Sequence, residues 1–102
     1  MRNKYQIVTY TKAKNFIDDL SVAQKARIDR LYDLFEEYGY NLPTRYLKKV
    51  AEYVWELRPG DVRLFLAIRG NKAIIVHGIK KKSRKIPKKD LDLAIKRVRE
   101  VV

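Results

Sequence analysis

The chain has 102 residues and a mass of 12.1 kDa, with 46% hydrophobic and 11% aromatic residues; this is enough apolar material for one core and excludes a disordered chain or a multidomain machine. Twenty-four lysines and arginines against 12 acids leave a net charge of +12, so the expected partner is polyanionic: RNA, DNA, the ribosome or an acidic protein. There is no cysteine and the only histidine is His77, which excludes disulfides, thiolate nucleophiles, Cys-ligated zinc and any multi-histidine metal site; the expected chemistry needs no metal and no cofactor.

Lys4 to Tyr10 is rich in β-formers on both alternating sets and predicts a first strand covered on both faces. A short helical piece over Lys12 to Leu20 follows. Ser21 then stands three residues before Gln24 in capping-box spacing, and Ala23, Ala26, Leu31, Leu34, Phe35 and Tyr38 recur at helical intervals up to Gly39, which predicts an amphipathic helix with both ends marked. After Pro43, Tyr46, Leu47 and Val50 suggest one more helical turn. Tyr53 to Arg58, Val62 to Ile68 and Lys72 to Ile79 read as three strands joined at Pro59-Gly60-Asp61 and Gly70-Asn71, both short enough for antiparallel hairpins. Pro87 marks the start of a last helix, along which Leu91, Ala94, Ile95, Val98 and Val101 repeat. The order β-α-α-β-β-β-α predicts an α+β fold: a small, antiparallel-rich sheet with helices packed on one face, forming a single domain over residues 1–102. The longest apolar run, Leu64 to Ile68, is far short of a membrane span, and Met1-Arg2-Asn3-Lys4-Tyr5 leads into no secretory apolar region, so a cytoplasmic protein without a membrane partner is expected.

Charge is uneven along this frame. Residues 15–40 carry six acids and three bases, whereas residues 41–102 carry seventeen bases and six acids. The first helices are therefore not the expected polyanion face. Seven bases and no acid stand between Lys80 and Lys89, where the last strand meets the last helix, and a polyphosphate chain would be drawn there. The candidate RNA contacts are Lys80, Lys82, Arg84, Lys85, Lys88 and Lys89, joined by Lys48 and Lys49; the alternative is a solvated, nonspecific anion patch.

Strand arithmetic sharpens one part of the sheet. If the hairpin pairs Arg58 with Arg63, then Leu57 faces Leu64, Trp55 faces Leu66 and Glu56 faces Phe65, whereas a slip of one residue would bury arginines. Glu56, Arg58 and Arg63 then share one face, about 5 to 7 Å apart. One carboxylate among guanidiniums suits the handling of a phosphate; the alternative is a surface ion pair contributing little. Carrying the count across Gly70-Asn71 puts Gly78 near Arg63, leaving room for a ligand, and turns His77 toward the core as a packed, hydrogen-bonded residue. Only a bulge would bring His77 out. Trp55 and Tyr32, Tyr38, Tyr46 and Tyr53 are read as core and rim residues rather than base-stacking platforms.

At Trp55-Glu56-Leu57-Arg58, at Val62-Arg63-Leu64-Phe65, and most specifically at His77-Gly78-Ile79-Lys80-Lys81-Lys82-Ser83-Arg84-Lys85-Ile86-Pro87 followed by Asp90-Leu91 and Ala94, the sequence resembles the HigB branch of the RelE-like toxins over nearly its whole length. The resemblance implies a monomeric endoribonuclease toxin of a type II toxin-antitoxin pair that cuts mRNA on the ribosome, and an antitoxin of the HigA kind with a helix-turn-helix domain. By position, Arg58 and Arg63 match the strand arginines that hold the scissile phosphate, and Lys80 and Lys81 match the basic pair after the last strand. Glu56 falls where relatives carry a lysine or a glutamate base. Val54 and Glu56 replace the two lysines of RelE itself, and Val98 to Val102 holds no late histidine, so neither of those mechanisms transfers. The roles expected are Glu56 as base, Arg58 and Arg63 as phosphate stabilisers, and Lys81 as acid. The rival from another class is a noncatalytic RNA- or ribosome-binding module, which would gain nothing from a carboxylate at the phosphate.

Overall fold

β-Branched and aromatic residues at the start of the chain form β1, Gln6–Thr9, in the computed structural model, which describes residues 4–102. Met1, Arg2 and Asn3, part of the start read as non-secretory, lie outside the described residues. Next come α1, Thr11–Asp18, and α2, Val22–Tyr38. The capping box of α2 is complete: Gln24 N donates to Ser21 Oγ at 3.1 Å and Ser21 N donates to Gln24 Oε1 at 3.0 Å, which satisfies amides that a helix start leaves orphaned. Gly39 stops the helix at φ +51°, a conformation that side chains disfavour. After a 3-10 turn at Gly39–Asn41 run β2, Leu47–Ala51, β3, Val54–Leu57, β4, Val62–Arg69, and β5, Lys72–Lys80, and the described chain closes with α3, Lys88–Val101.

The strands form one mixed sheet in the order β1-β5-β4-β3-β2, with β1 parallel to β5 and every other pair antiparallel. Two expectations about strands are corrected. Leu47 to Val50 forms a strand, not a helical turn, because the free edge of β3 offers a ladder: Leu47 pairs with Leu57, Lys48 with Glu56 and Lys49 with Trp55. β1 is a mostly exposed edge strand, not one covered on both faces.

The expectation of helices on one face is also corrected. Ile28, Leu31 and Phe35 of α2 pack with Ala13 of α1 against Leu57, Leu64, Leu66 and Ile75, while Ala94 and Val98 of α3 cover Val54, Phe65, Ala67 and Val76 on the opposite side. The apolar run Leu64 to Ile68 makes this necessary, since a strand apolar on both alternating sets must be buried on both faces. No helix among the described residues is long and apolar enough to cross a membrane.

Candidate active site

The β3–β4 register is the one the hydrophobic stripes demand: Trp55 faces Leu66, Glu56 faces Phe65 and Leu57 faces Leu64. Glu56 therefore lies on the α3 side of the sheet. It is far more buried than a surface ion pair would be, with its side chain 3% exposed. Arg58 Nε donates to Glu56 Oε1 at 2.7 Å, a charge-assisted bond that lets the carboxylate be buried. The other oxygen, Oε2, has no hydrogen-bond partner among the described residues and is not sealed off, and Glu56 lines a cleft of about 700 Å³.

Arg63 enters the same cleft and is held from behind: its Nη1 donates to Gly60 O at 2.7 Å and to Val62 O at 2.8 Å. Burial, first of all, pulls its pKa below the ordinary arginine value; Glu56 opposes that, Arg58 adds to it, and Asp61 opposes it. The guanidinium stays cationic at neutral pH regardless. Lys81 is placed by its backbone, whose N–H donates to Asp61 O at 2.7 Å, tying the loop after β5 to the turn between β3 and β4. Ser83 Oγ donates to Lys85 O at 3.1 Å and shapes the same loop.

The cleft thus gathers Glu56, Arg58, Arg63 and Lys81 with Lys80, Lys82, Arg84, Lys85 and Lys89. Three of the candidate RNA contacts stand apart from it. Lys88 Nζ donates to Asp92 Oδ2 at 2.8 Å on the outer side of α3. Lys48 shares the Glu56 face at the β2 edge, and Lys49 alternates to the other face.

His77 and Gly78 are not where the sequence count put them. The β4–β5 ladder follows that count from Arg69–Lys72 to Leu66–Ile75, then slips by one, so Phe65 pairs with His77, Leu64 with Gly78 and Arg63 with Ile79. Val76 is the extra residue of a β-bulge, which turns His77 onto the Phe65 and Glu56 side instead of toward Leu64. There His77 stacks on Phe65 with ring centroids 5.9 Å apart, and its Nε2 lies 2.8 Å from Asp90 Oδ1. Arg97 Nη1 donates to Val76 O at 2.9 Å and faces His77 Nδ1 at 3.5 Å, from which we assign the ring proton to Nε2. Gly78 lines the cleft together with Arg63, as expected, but the direction a side chain would take there is filled by the Phe16 ring of α1.

Asp90 lines the cleft as well, a placement that sequence reasoning missed. The available signal was an acid in the first turn of a helix, where the macrodipole favours it, but a partner thirteen residues away becomes visible only once the bulge is known. Among the described residues, no group of three or more His, Cys, Asp or Glu lies together as metal ligands would.

The family described as Phage derived protein Gp49-like matches residues 15–99. Among solved structures, the chain is similar to the archaeal RelE-RelB complex from Pyrococcus horikoshii OT3, at 16% identity over 80% of this chain and 99% of that one, with a TM-score of 0.61. It is similar to the RelBE2 toxin-antitoxin complex from Mycobacterium tuberculosis at 20% identity, 76% and 99% coverage, and a TM-score of 0.60. For the RelB-RelE antitoxin-toxin complex from Methanococcus jannaschii the values are 12%, 72%, 88% and 0.57. Identities this low speak for the fold alone. No curated protein matches the sequence.

Proposed function

We propose that this chain, which belongs to the phage-derived Gp49-like family, is the toxin of a type II toxin-antitoxin pair, of the HigB type, and acts in the cytoplasm as an endoribonuclease on ribosome-bound mRNA. The observation that carries the reading is the buried Glu56 carboxylate, paired with Arg58 on one oxygen and open to a basic cleft on the other. A partner of the HigA kind is the corresponding antitoxin; two solved structures with this fold are toxin-antitoxin complexes and a third is a RelE-RelB complex.

In the proposed reaction, Glu56 takes the proton of a ribose 2′-hydroxyl as O2′ attacks the adjacent phosphorus. Arg58 and Arg63 stabilise the equatorial oxygens, and Lys81 gives a proton to O5′ as the P–O5′ bond breaks, leaving a 2′,3′-cyclic phosphate and a 5′-hydroxyl. A positioned base or acid supplies roughly 10² to 10⁴ in rate and a charge-stabilising donor about 10² to 10³. Lys80, Lys82, Arg84, Lys85 and Lys89 would hold the strand in the cleft, with Lys48, Lys49 and Lys88 contributing at longer range.

A second reading is a noncatalytic RNA- or ribosome-binding module, in which Glu56 only orients Arg58; the 2.7 Å bond between them favours it. The test is cleavage of mRNA in a purified translation system, with the termini identified. The nuclease reading expects cyclic-phosphate ends, a block by 2′-deoxy substitution at the cut step, and a loss of about 10² to 10⁴ in rate on Glu56→Gln with RNA affinity kept or raised. Intact mRNA beside tightly bound protein selects the binding module.

A further inference from the structure

A second, smaller depression lies on the far side of Arg58, where the acidic balance of residues 15–40 led us to expect no polyanion contact. Its volume is about 200 Å³, and its walls are Arg27, Arg30, Leu31 and Leu34 of α2, Tyr46, and Arg58 with the Pro59-Gly60 turn. Arg58 is the residue common to the linings of both depressions.

The walls are held in place. The Arg27 stem lies across Gly60, where an added Cβ would come 2.7 Å from its Cδ, and its Nη1 is 3.7 Å from Asp61 Oδ1. Gln24 Nε2 reaches the same carboxylate at 3.3 Å. Arg30 forms no salt bridge among the described residues. Tyr46 O accepts from Arg58 N at 2.8 Å, which fixes the main chains of the two residues beside one another.

We propose that this depression is a subsite for the phosphodiester next to the scissile one in a single-stranded RNA, with Arg27 and Arg30 as its cations. The proposal rests on the reading of the larger cleft as the RNA cleavage site. At 200 Å³ the space is below the roughly 300 Å³ at which pockets for whole drug-sized ligands begin, so it suits a phosphate group better than a complete nucleotide. Planar guanidiniums match phosphate oxygens bidentately. Continuity of the two linings at Arg58 favours a nucleic-acid strand over an acidic peptide, because consecutive phosphates are one sugar apart.

The test compares the parent protein, Arg30→Ala, and Arg27→Ala with Arg30→Ala. Each is titrated with an RNA octamer carrying 2′-deoxy at the cut step, with a dinucleoside monophosphate holding only the scissile phosphate, and with a glutamate-rich octapeptide. The double variant is expected to bind the octamer on the order of tenfold more weakly, with a log-log salt slope shallower by about 1.4, while the dinucleotide is bound as before. Arg30→Ala breaks no ion pair and should give about half that slope change. An unchanged octamer affinity, an equal loss with the dinucleotide, or a loss confined to the peptide overturns the subsite and leaves the larger cleft standing. If the parent protein binds no RNA, the cleavage site and its subsite fall together.

Discussion

Arg58 Nε donates to Glu56 Oε1 at 2.7 Å between side chains two residues apart on one face of the sheet, the Glu56 side chain 3% exposed and the Arg58 side chain 29%. The asymmetry sets what happens when either partner is lost. Arg58→Ala leaves an almost enclosed carboxylate without its cation, a change that costs about 3 to 5 kcal/mol in a dry interior; because Oε2 opens to the cleft, we expect the lower end, about 3 kcal/mol by urea unfolding. Adding Glu56→Gln to that variant removes the stranded charge and should recover a large part of the loss. Equal and additive effects in this double-mutant cycle would mean that the pair is not coupled.

Lys88 and Lys89 are neighbours in sequence but differ in environment. Lys89 lines the cleft, whereas Lys88 is committed to Asp92 at 2.8 Å, an exposed pair whose hydrogen bond raises the lysine pKa. Against a parental log-log slope near −3.5 for roughly five phosphate contacts on a single strand, Lys89→Ala should make RNA binding less salt-dependent by about 0.7. Lys88→Ala, acting only at longer range, should change the slope by much less than that. Binding isotherms at several salt concentrations decide it, and equal effects from both lysines would move the RNA path out of the cleft.

What could be read in the sequence was whatever local chemistry alone determines. Ser21 and Gln24 announce their helix because the capping bonds lie within one turn, and Glu56 faces Phe65 because any other register would bury arginine. Leu47 and Val50 have helical spacing, and only the presence of β3 makes that segment a strand. The bulge at Val76 left no mark in the apolar pattern, because both alternating sets of β5 are apolar there, and so the face of His77 was read wrongly. The site followed the same division: Glu56, Arg58, Arg63 and the Lys80 run converge as the strand count requires, while Asp90 depends on a contact between β5 and α3.

The His77–Asp90 contact joins β5 to the first turn of α3, with both side chains about 15% exposed. Between them in sequence runs the loop that carries the cleft lysines. A hydrogen bond to a charged acceptor contributes about 1.5 to 3 kcal/mol, so Asp90→Ala should lower unfolding stability by that amount. His77→Gln, whose amide can still donate, should cost less. Residues 81–87 should also become more susceptible to limited proteolysis in Asp90→Ala than in Asp92→Ala. Unchanged protection would mean that the loop is held by the Lys81–Asp61 backbone bond alone.

Tyr32 places a hydroxyl inside the core on the α2 side with no hydrogen-bond partner among the described residues. Burial, reinforced by Asp29, raises its pKa well above the ordinary 10.0, and Thr9 opposes the rise without completing a hydrogen bond. The folded state therefore keeps a proton that the unfolded chain releases above pH 10, so this group lowers stability as pH climbs past 10, by about 1.4 kcal/mol per unit, and contributes no pH dependence below it. Tyr32→Phe removes both the orphaned hydroxyl and the titration. At neutral pH it should be neutral or stabilising by up to about 1 kcal/mol, since an unsatisfied buried polar group is a net cost. Between pH 10 and 11 the advantage over the parent should widen. Thermal unfolding across that range is the measurement; a Tyr32→Phe protein that is less stable at neutral pH, with an unchanged alkaline slope, would show that the hydroxyl has a partner after all.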